Sequence, residues 1–199
     1  MNKKVIIIIF ILIAGISFFI FRKNEQQLPV PTGTNIIAFG DSLVYGYGAT
    51  EGKDFVSLLS ERIGIPIINA GIPGDKTSDA LARIRTDVLE KDPKVVIVVI
   101  GGNDFLRRVP KAETLSNVRN IVGQIKATGA RVILVGTSRL VYNSEYQDVA
   151  KELGVIFVPH VMDKILSNRA LMSDTIHPND AGYEVFADTI EPFLIKALN

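Results

Sequence analysis

Cysteine and tryptophan are absent from the 199 residues, and histidine occurs only twice, as His160 and His177. Without cysteine there is no disulfide framework, no thiol nucleophile, no zinc–thiolate site and no lipid attachment through an N-terminal cysteine. Two histidines are too few for a histidine-rich metal site. Excess charge of one sign is also missing, with 22 Lys+Arg against 21 Asp+Glu. Such a balance gives nucleic-acid binding no electrostatic support. With 47% hydrophobic and 22% charged residues the chain is neither disordered nor collagen-like. Its length suits one domain of ordinary size plus, at most, an appendage.

The appendage is at the N-terminus. Lys3-Lys4 precede an unbroken apolar stretch from Val5 to Phe21, interrupted only by Gly15 and Ser17, and Arg22-Lys23 follow it. As a helix it would span about 26 Å, slightly under the ~30 Å of a bilayer's hydrocarbon core. A cleaved secretory signal is the rival reading. No A-x-A-like site follows, and Phe18-Phe19-Ile20-Phe21 carries the apolar stretch past the only small residues, which favours a retained membrane anchor. Both readings export the rest of the chain. The short N-terminus is expected in the cytoplasm, although basic residues flank the stretch on both sides. Residues 1–23 hold four basic and no acidic residues, leaving an exported body with 18 basic and 21 acidic residues, net −3. Residues 24–34 (NEQQLPVPTGT) are polar with prolines and a glycine, and read as a tether to a domain over 35–199.

From Asn35 onward short β-rich runs alternate with helical patterns. Strands are expected at Asn35–Phe39, Pro66–Asn69, Lys94–Ile100, Arg131–Gly136 and Val155–Val158. Helices are expected at Lys53–Ile63, Thr77–Lys91, Thr114–Thr128, Ser144–Leu153 and Asn179–Leu198. Lys94–Ile100 (KVVIVVI) is apolar on both faces, as a central parallel strand must be. The alternation predicts an α/β fold, an open and mostly parallel five-stranded sheet with helices on both faces. In such sheets functional groups collect beyond the carboxyl ends of the strands.

Those loops hold Gly40-Asp41-Ser42-Leu43, Asn69-Ala70-Gly71-Ile72-Pro73-Gly74-Asp75, Gly101-Gly102-Asn103-Asp104 and, near the C-terminus, Asp174-Thr175-Ile176-His177-Pro178. Together they supply the parts of acyl transfer. A serine is a poor nucleophile until a base takes its proton. His177 can be that base, and Asp174, three residues earlier, can orient the imidazole. The oxyanion of a tetrahedral intermediate needs preorganised donors. The Ser42 N–H, the Gly74 N–H and the Asn103 side-chain amide are candidates.

With GDSL at 40–43, NAGIPGD at 69–75, GGND at 101–104 and DTIHPN at 174–179, the chain resembles the SGNH hydrolases, or GDSL esterases and lipases. It is most similar to their bacterial thioesterase/lysophospholipase and arylesterase group, and the resemblance covers roughly residues 35–199. It implies a flavodoxin-like three-layer α/β/α fold, no metal and no cofactor. It implies Ser42 as nucleophile, His177 as base and Asp174 as its orienting acid. Ser42, Gly74 and Asn103 would form the oxyanion hole, with Gly71 the alternative to Gly74. The implied substrates are esters or thioesters, lipids among them. In that group a segment after the fourth strand often contacts substrate. Here Thr137–Asn143 leads almost directly into the next helix, which argues against a long-acyl preference. The same machinery removes acetyl groups from carbohydrates, including cell-wall glycans, and this is the rival activity. A catalytically silent binding module at the membrane surface is the rival outside enzymes.

Each candidate also has a plainer role. Ser42 and Asn103 could be helix caps, and His177 a surface histidine. Asp41 and Asp104 are read as local hydrogen-bonding supports, and His160, with no acid three residues before it, as structural. Gly46–Asp54 mimics a nucleotide loop but has the wrong glycine spacing, and reads as a loop beside the site. Tyr45 and Tyr47 either line it or pack. Arg107 and Arg108 read as a solvated face before an anion-binding pair. Neither the oligomeric state nor the leaving group is legible.

Overall fold

The computed structural model describes residues 30–199. The N-terminal apolar stretch lies outside these residues. Among the described residues no helix is long and apolar enough to cross a membrane.

Five parallel strands form one sheet: β1 (Asn35–Gly40), β2 (Ile67–Gly71), β3 (Pro93–Val99), β4 (Arg131–Val135) and β5 (Ile156–Val158). Their order is β2-β1-β3-β4-β5. Among the described residues eight α-helices connect or follow the strands: α1 (Ser42–Tyr45), α2 (Phe55–Ile63), α3 (Thr77–Asp87), α4 (Gly102–Leu106), α5 (Lys111–Ala127), α6 (Asn143–Leu153), α7 (Asp163–Leu166) and α8 (Asp180–Leu198). The expected sheet and its helices are therefore present.

The central strands are apolar on both faces because each face has its own core. Ile36 and Ala38 of β1 and Val95, Ile97 and Val99 of β3 pack with Phe55 and Leu59 of α2 and Phe186 and Leu194 of α8. The intervening Ile37, Phe39, Val96 and Val98 pack with Ile84 of α3, Ile121 of α5 and Tyr146 of α6. This alternation is the two-residue period of a strand. Each methylene group so buried is worth about 0.8 kcal/mol.

Boundaries differ from expectation where tertiary partners intervene. β2 begins after Pro66, which has no N–H for a ladder, and runs on to Gly71 opposite Gly40. α3 stops at Asp87, and a 3₁₀ turn at Leu89–Lys91 leads to Asp92 in a left-handed conformation. The Asp92 carboxylate accepts from both the N–H and the hydroxyl of Thr34, at 3.1 and 2.8 Å. The helix is thus broken to tie residue 34 to the amino edge of the sheet. α5 starts directly after Pro110, earlier than expected. The short helices α1, α4 and α7 were not anticipated.

The chain leaves β1 toward β2 on one side and returns to β3 on the other. A crevice therefore opens beyond the carboxyl ends of β1 and β3. Its floor is braced by Asp104, 1% exposed, which accepts from the Thr77 N–H at 2.8 Å, the Thr77 hydroxyl at 2.5 Å and the Thr114 hydroxyl at 3.3 Å. Asn117 donates in turn to the Thr77 hydroxyl at 3.1 Å. Asp104→Ala would strand these buried donors, so urea unfolding should show a loss of about 2–4 kcal/mol. A loss below about 1 kcal/mol would contradict the bracing role.

Candidate active site

Ser42 opens α1 immediately beyond β1. Asp41 sets its direction: the buried Asp41 carboxylate accepts the Leu43 N–H at 3.1 Å, capping the turn from within the fold. Ser42 itself faces a pocket of about 120 Å³.

His177 comes from a turn 135 residues away. Local bonds shape that turn. Met172 and Pro178 form an antiparallel bridge, and the Ser173 N–H donates to the His177 carbonyl at 2.9 Å. Asp174 Oδ1 accepts from the N–H groups of Ile176 and His177, both at 2.8 Å. This folds the carboxylate back so that Oδ2 lies 2.7 Å from His177 Nδ1. The other ring nitrogen, Nε2, lies 3.0 Å from Ser42 Oγ. The Tyr47 ring rests against the imidazole with centroids 4.5 Å apart. The three residues expected from the loops therefore meet in one line.

Burial pushes the Asp174 carboxyl up, but the Ile176 N–H, the His177 ring and the His177 N–H outweigh it and hold the group at about 2. Ionised at neutral pH, it fits the tautomer of His177 that carries a proton on Nδ1. That tautomer, assigned from its partners, leaves the Nε2 lone pair toward Ser42. Asp41 goes the other way. Burial raises it to about 7, against the pull of the Leu43 N–H, and the negative charges of Asp75 and Asp104 add to the rise.

Three donors were expected near Ser42. Among the described residues the N–H groups of Ser42 and Gly74 have no hydrogen-bond partner. Asn103, in α4, gives one amide proton to the Asp75 carbonyl at 3.0 Å and keeps the second, and it lines the pocket with Ser42 and His177. The two glycines of the second motif separate clearly. The Gly71 N–H is taken by Asn69 Oδ1 at 3.0 Å, and a Cβ on Gly71 would lie 2.2 Å from the Tyr45 nitrogen. Gly71 thus lets α1 pack onto the end of β2. Gly74 has φ +88°, and a Cβ there would meet only the Arg107 guanidinium, at 3.5 Å. Its backbone is left open.

The pocket wall is apolar, made by Leu43, Leu106, Val141, Met162, Leu166 and Ile176. Leu43 and Ile176 belong to the motifs, whereas Leu106 of α4, Leu166 of α7 and the loop residues Val141 and Met162 do not, and sequence reading gave those four no role. Of the remaining candidates only the Arg107 guanidinium comes near the site, beside Gly74. His160 does not line the pocket; its backbone N–H binds Asn143 Oδ1 at 3.0 Å. Asp54, at the end of the glycine-rich loop, caps α2 through the Val56 and Ser57 N–H groups. Arg107 and Arg108 are exposed. No cluster of His, Cys, Asp and Glu among the described residues could hold a metal ion.

The model of the GDSL-like Lipase/Acylhydrolase family matches residues 38–185. The thioesterase 1/protease 1/lysophospholipase L1 of Escherichia coli (strain K12) is 30% identical over 177 residues, covering 82% of this chain and 85% of the relative. The arylesterase of Vibrio mimicus is 27% identical over 179 residues, covering 82% and 89%. Among solved structures, the crystal structure of TesA superposes with a TM-score of 0.78 at 26% identity, covering 82% of this chain and 99% of that one.

The Asp41 carboxyl carries a pH signature. A raised acid contributes stability that is complete below its unfolded value, 3.8, and is lost as the pH rises to about 7. Between those limits urea stability should fall with rising pH, and Asp41→Asn should shrink the fall. Identical pH dependence in the two proteins would contradict the assignment.

Proposed function

Since this chain belongs to the GDSL-like lipase/acylhydrolase family and is a carboxylic ester hydrolase, we propose that it works through an acyl-enzyme on Ser42. The observation that carries this reading is the line from Asp174 Oδ2 through the His177 ring to Ser42 Oγ, with contacts of 2.7 and 3.0 Å at the edge of one pocket. Both are hydrogen-bond distances, and the second is within reach for proton transfer.

In this mechanism His177 Nε2 takes the Ser42 proton as Oγ attacks the acyl carbonyl carbon. Asp174 keeps the ring oriented and offsets the charge of the imidazolium. The carbonyl oxygen becomes an oxyanion and receives the Ser42 N–H, the Gly74 N–H and the free proton of the Asn103 amide. One such donor is typically worth about 2.7–4 kcal/mol of transition-state stabilisation. The imidazolium then protonates the departing alcohol or thiol as the carbonyl re-forms. Water repeats the sequence: it gives a proton to Nε2, attacks the acyl-enzyme, and releases the acid with Ser42 restored.

The substrate class is carboxylic esters, with thioesters included by the leaving-group chemistry. The pocket favours small acyl groups. An engineered cavity of ~150 Å³ takes up benzene, with six carbons, so about 120 Å³ suits an acyl chain of a few carbons. The same volume favours, as a second reading, removal of acetyl groups from carbohydrates. The short Gly136–Tyr142 connection between β4 and α6 supports a small pocket.

The catalytic domain is proposed to lie outside the cytoplasm, held by the Val5–Phe21 anchor and residues 24–34. Thr34 binds Asp92 and Thr32 binds the Thr128 carbonyl, next to the amino ends of β3 and β4. Residues 32–34 thus enter the domain at the edge of the sheet opposite the pocket.

Hydrolysis of p-nitrophenyl acetate, butyrate and decanoate by the full chain and by Ser42→Ala tests the reading. The acetate and butyrate should be preferred, and Ser42→Ala should lose at least about 10³-fold in kcat. Activity unchanged in Ser42→Ala would remove that residue from the mechanism, and preference for decanoate would overturn the short-acyl reading. Asn103→Ala should lower kcat about 10²–10³-fold with a smaller effect on KM.

A further inference from the structure

Arg83 stands on α3, outside the pocket, with its side chain 14% exposed. Its Nε donates to Asp75 Oδ2 at 2.7 Å. Nη1 donates to the Ala70 carbonyl at 3.0 Å and to Asp87 Oδ2 at 2.7 Å. Nη2 donates to the Gly40 carbonyl at 2.8 Å. The guanidinium also lies over the Phe39 ring, 4.5 Å from its centroid. Only Asp87 belongs to the same helix. The other contacts reach the carboxyl ends of β1 and β2 and the acid that follows Gly74.

From Asp75 the path continues to the site. Its backbone carbonyl accepts Asn103 Nδ2 at 3.0 Å. The Gly40 carbonyl, which precedes Asp41 and Ser42, also accepts the Ile72 N–H at 3.0 Å. The guanidinium therefore ties Asp75, at one end of the Ile72–Asp75 loop, to the Gly40 carbonyl that holds Ile72 at the other, on the strand that carries the nucleophile.

We propose that Arg83 is a positioning residue for the oxyanion hole. It fixes the 72–75 loop so that the Gly74 N–H and, through the Asp75 carbonyl, the Asn103 amide converge on one point. The proposal rests on the acyl-enzyme reading of Ser42 and Asn103. Oxyanion donors are effective because they are aligned before charge develops. A displacement of about 1 Å can cost ~10²-fold in rate. Gly74, at φ +88° and with nothing closer than 3.5 Å to a built Cβ, has no side chain of its own to hold it. The restraint has to come from its neighbours. A guanidinium can serve acceptors in several directions of its plane at once and stack on a ring, whereas an ammonium on a flexible stem cannot.

The test is a cycle of Arg83→Met and Arg83→Lys made in the wild type and in Asn103→Ala, read as kcat and KM on p-nitrophenyl acetate, with Tm measured alongside. Arg83→Met should lower kcat about 10–100-fold and change KM less than about 3-fold. Arg83→Lys should not restore it. In the Asn103→Ala background the same substitutions should cost clearly less than in the wild type, because one of the two donors being positioned is already gone. Equal losses in both backgrounds, or a lowered Tm with kcat intact, would overturn the proposal. If Arg83→Met does not fold, Arg83→Lys completes the cycle alone. Failure of the underlying reading looks different: Asn103→Ala by itself would leave kcat unchanged, and the positioning role would fall with it.

Discussion

Parallel pairing of β1 with β2 on one side and β3 on the other brings Gly40 level with Gly71 and Val99. All the chemistry stands on that alignment. Because the three strands end together, the groups that follow them come out side by side: Ser42 after β1, Gly74 after β2, Asn103 after β3. A register slip of one residue would turn every side chain of a strand to the opposite face. Two apolar cores, one on each face of the sheet, make such a slip costly. The hydrophobic packing that stabilises the sheet is therefore also what keeps the site in order.

Above the strand ends the structure must keep acidic groups close together without letting them push the site apart. Each has a different solution. Asp75 is neutralised by Arg83. Asp104 collects the Thr77 N–H and the hydroxyls of Thr77 and Thr114. Asp41, with one N–H from Leu43, takes the consequence of burial as a carboxyl held at about 7. Asp174 is the contrast: exposed at its edge, gripped by two backbone N–H groups and the His177 ring, it is held at about 2. The same residue type thus serves as a brace, a cap and the anionic partner of a histidine, according to what donors surround it.

The site divides into a rigid half and a tied-on half. Ser42, Gly74 and Asn103 ride on strand ends and the helices they start. Asp174 and His177 ride on a turn that is internally bonded and then fastened to α8, whose N-cap Asn179 accepts the Gly182 N–H and donates to the Ala170 carbonyl. The Tyr47 ring closes against His177 from the α1 side, and the Tyr183 hydroxyl of α8 holds the Tyr47 carbonyl at 3.0 Å. Among these contacts the one between the imidazole and the serine joins the two halves chemically. The proposed acyl-enzyme mechanism needs such a junction to be short and directional, and in that proposal the small apolar pocket beside it sets the size of the acyl group.

Much of this was legible in the residues themselves. Strands such as KVVIVVI declare burial on both faces, and glycines and acids punctuate their carboxyl ends. The Asp174–His177 pair is a local turn, so its spacing of three already implied contact. What the sequence could not determine depends on distant groups. The 3.0 Å contact between Ser42 and His177 joins residues 135 apart. The difference between Gly71 and Gly74 lies in which backbone N–H a neighbour occupies. Helices of four or five residues, such as α1 and α4, are too short to show a 3.6-residue period. Arg83 sits in an ordinary helical pattern, and its partners come from β1, β2 and the loop after β2 as well as its own helix. Local chemistry follows from the order of residues, but the aim of one group at another is set by packing, which only the folded chain supplies.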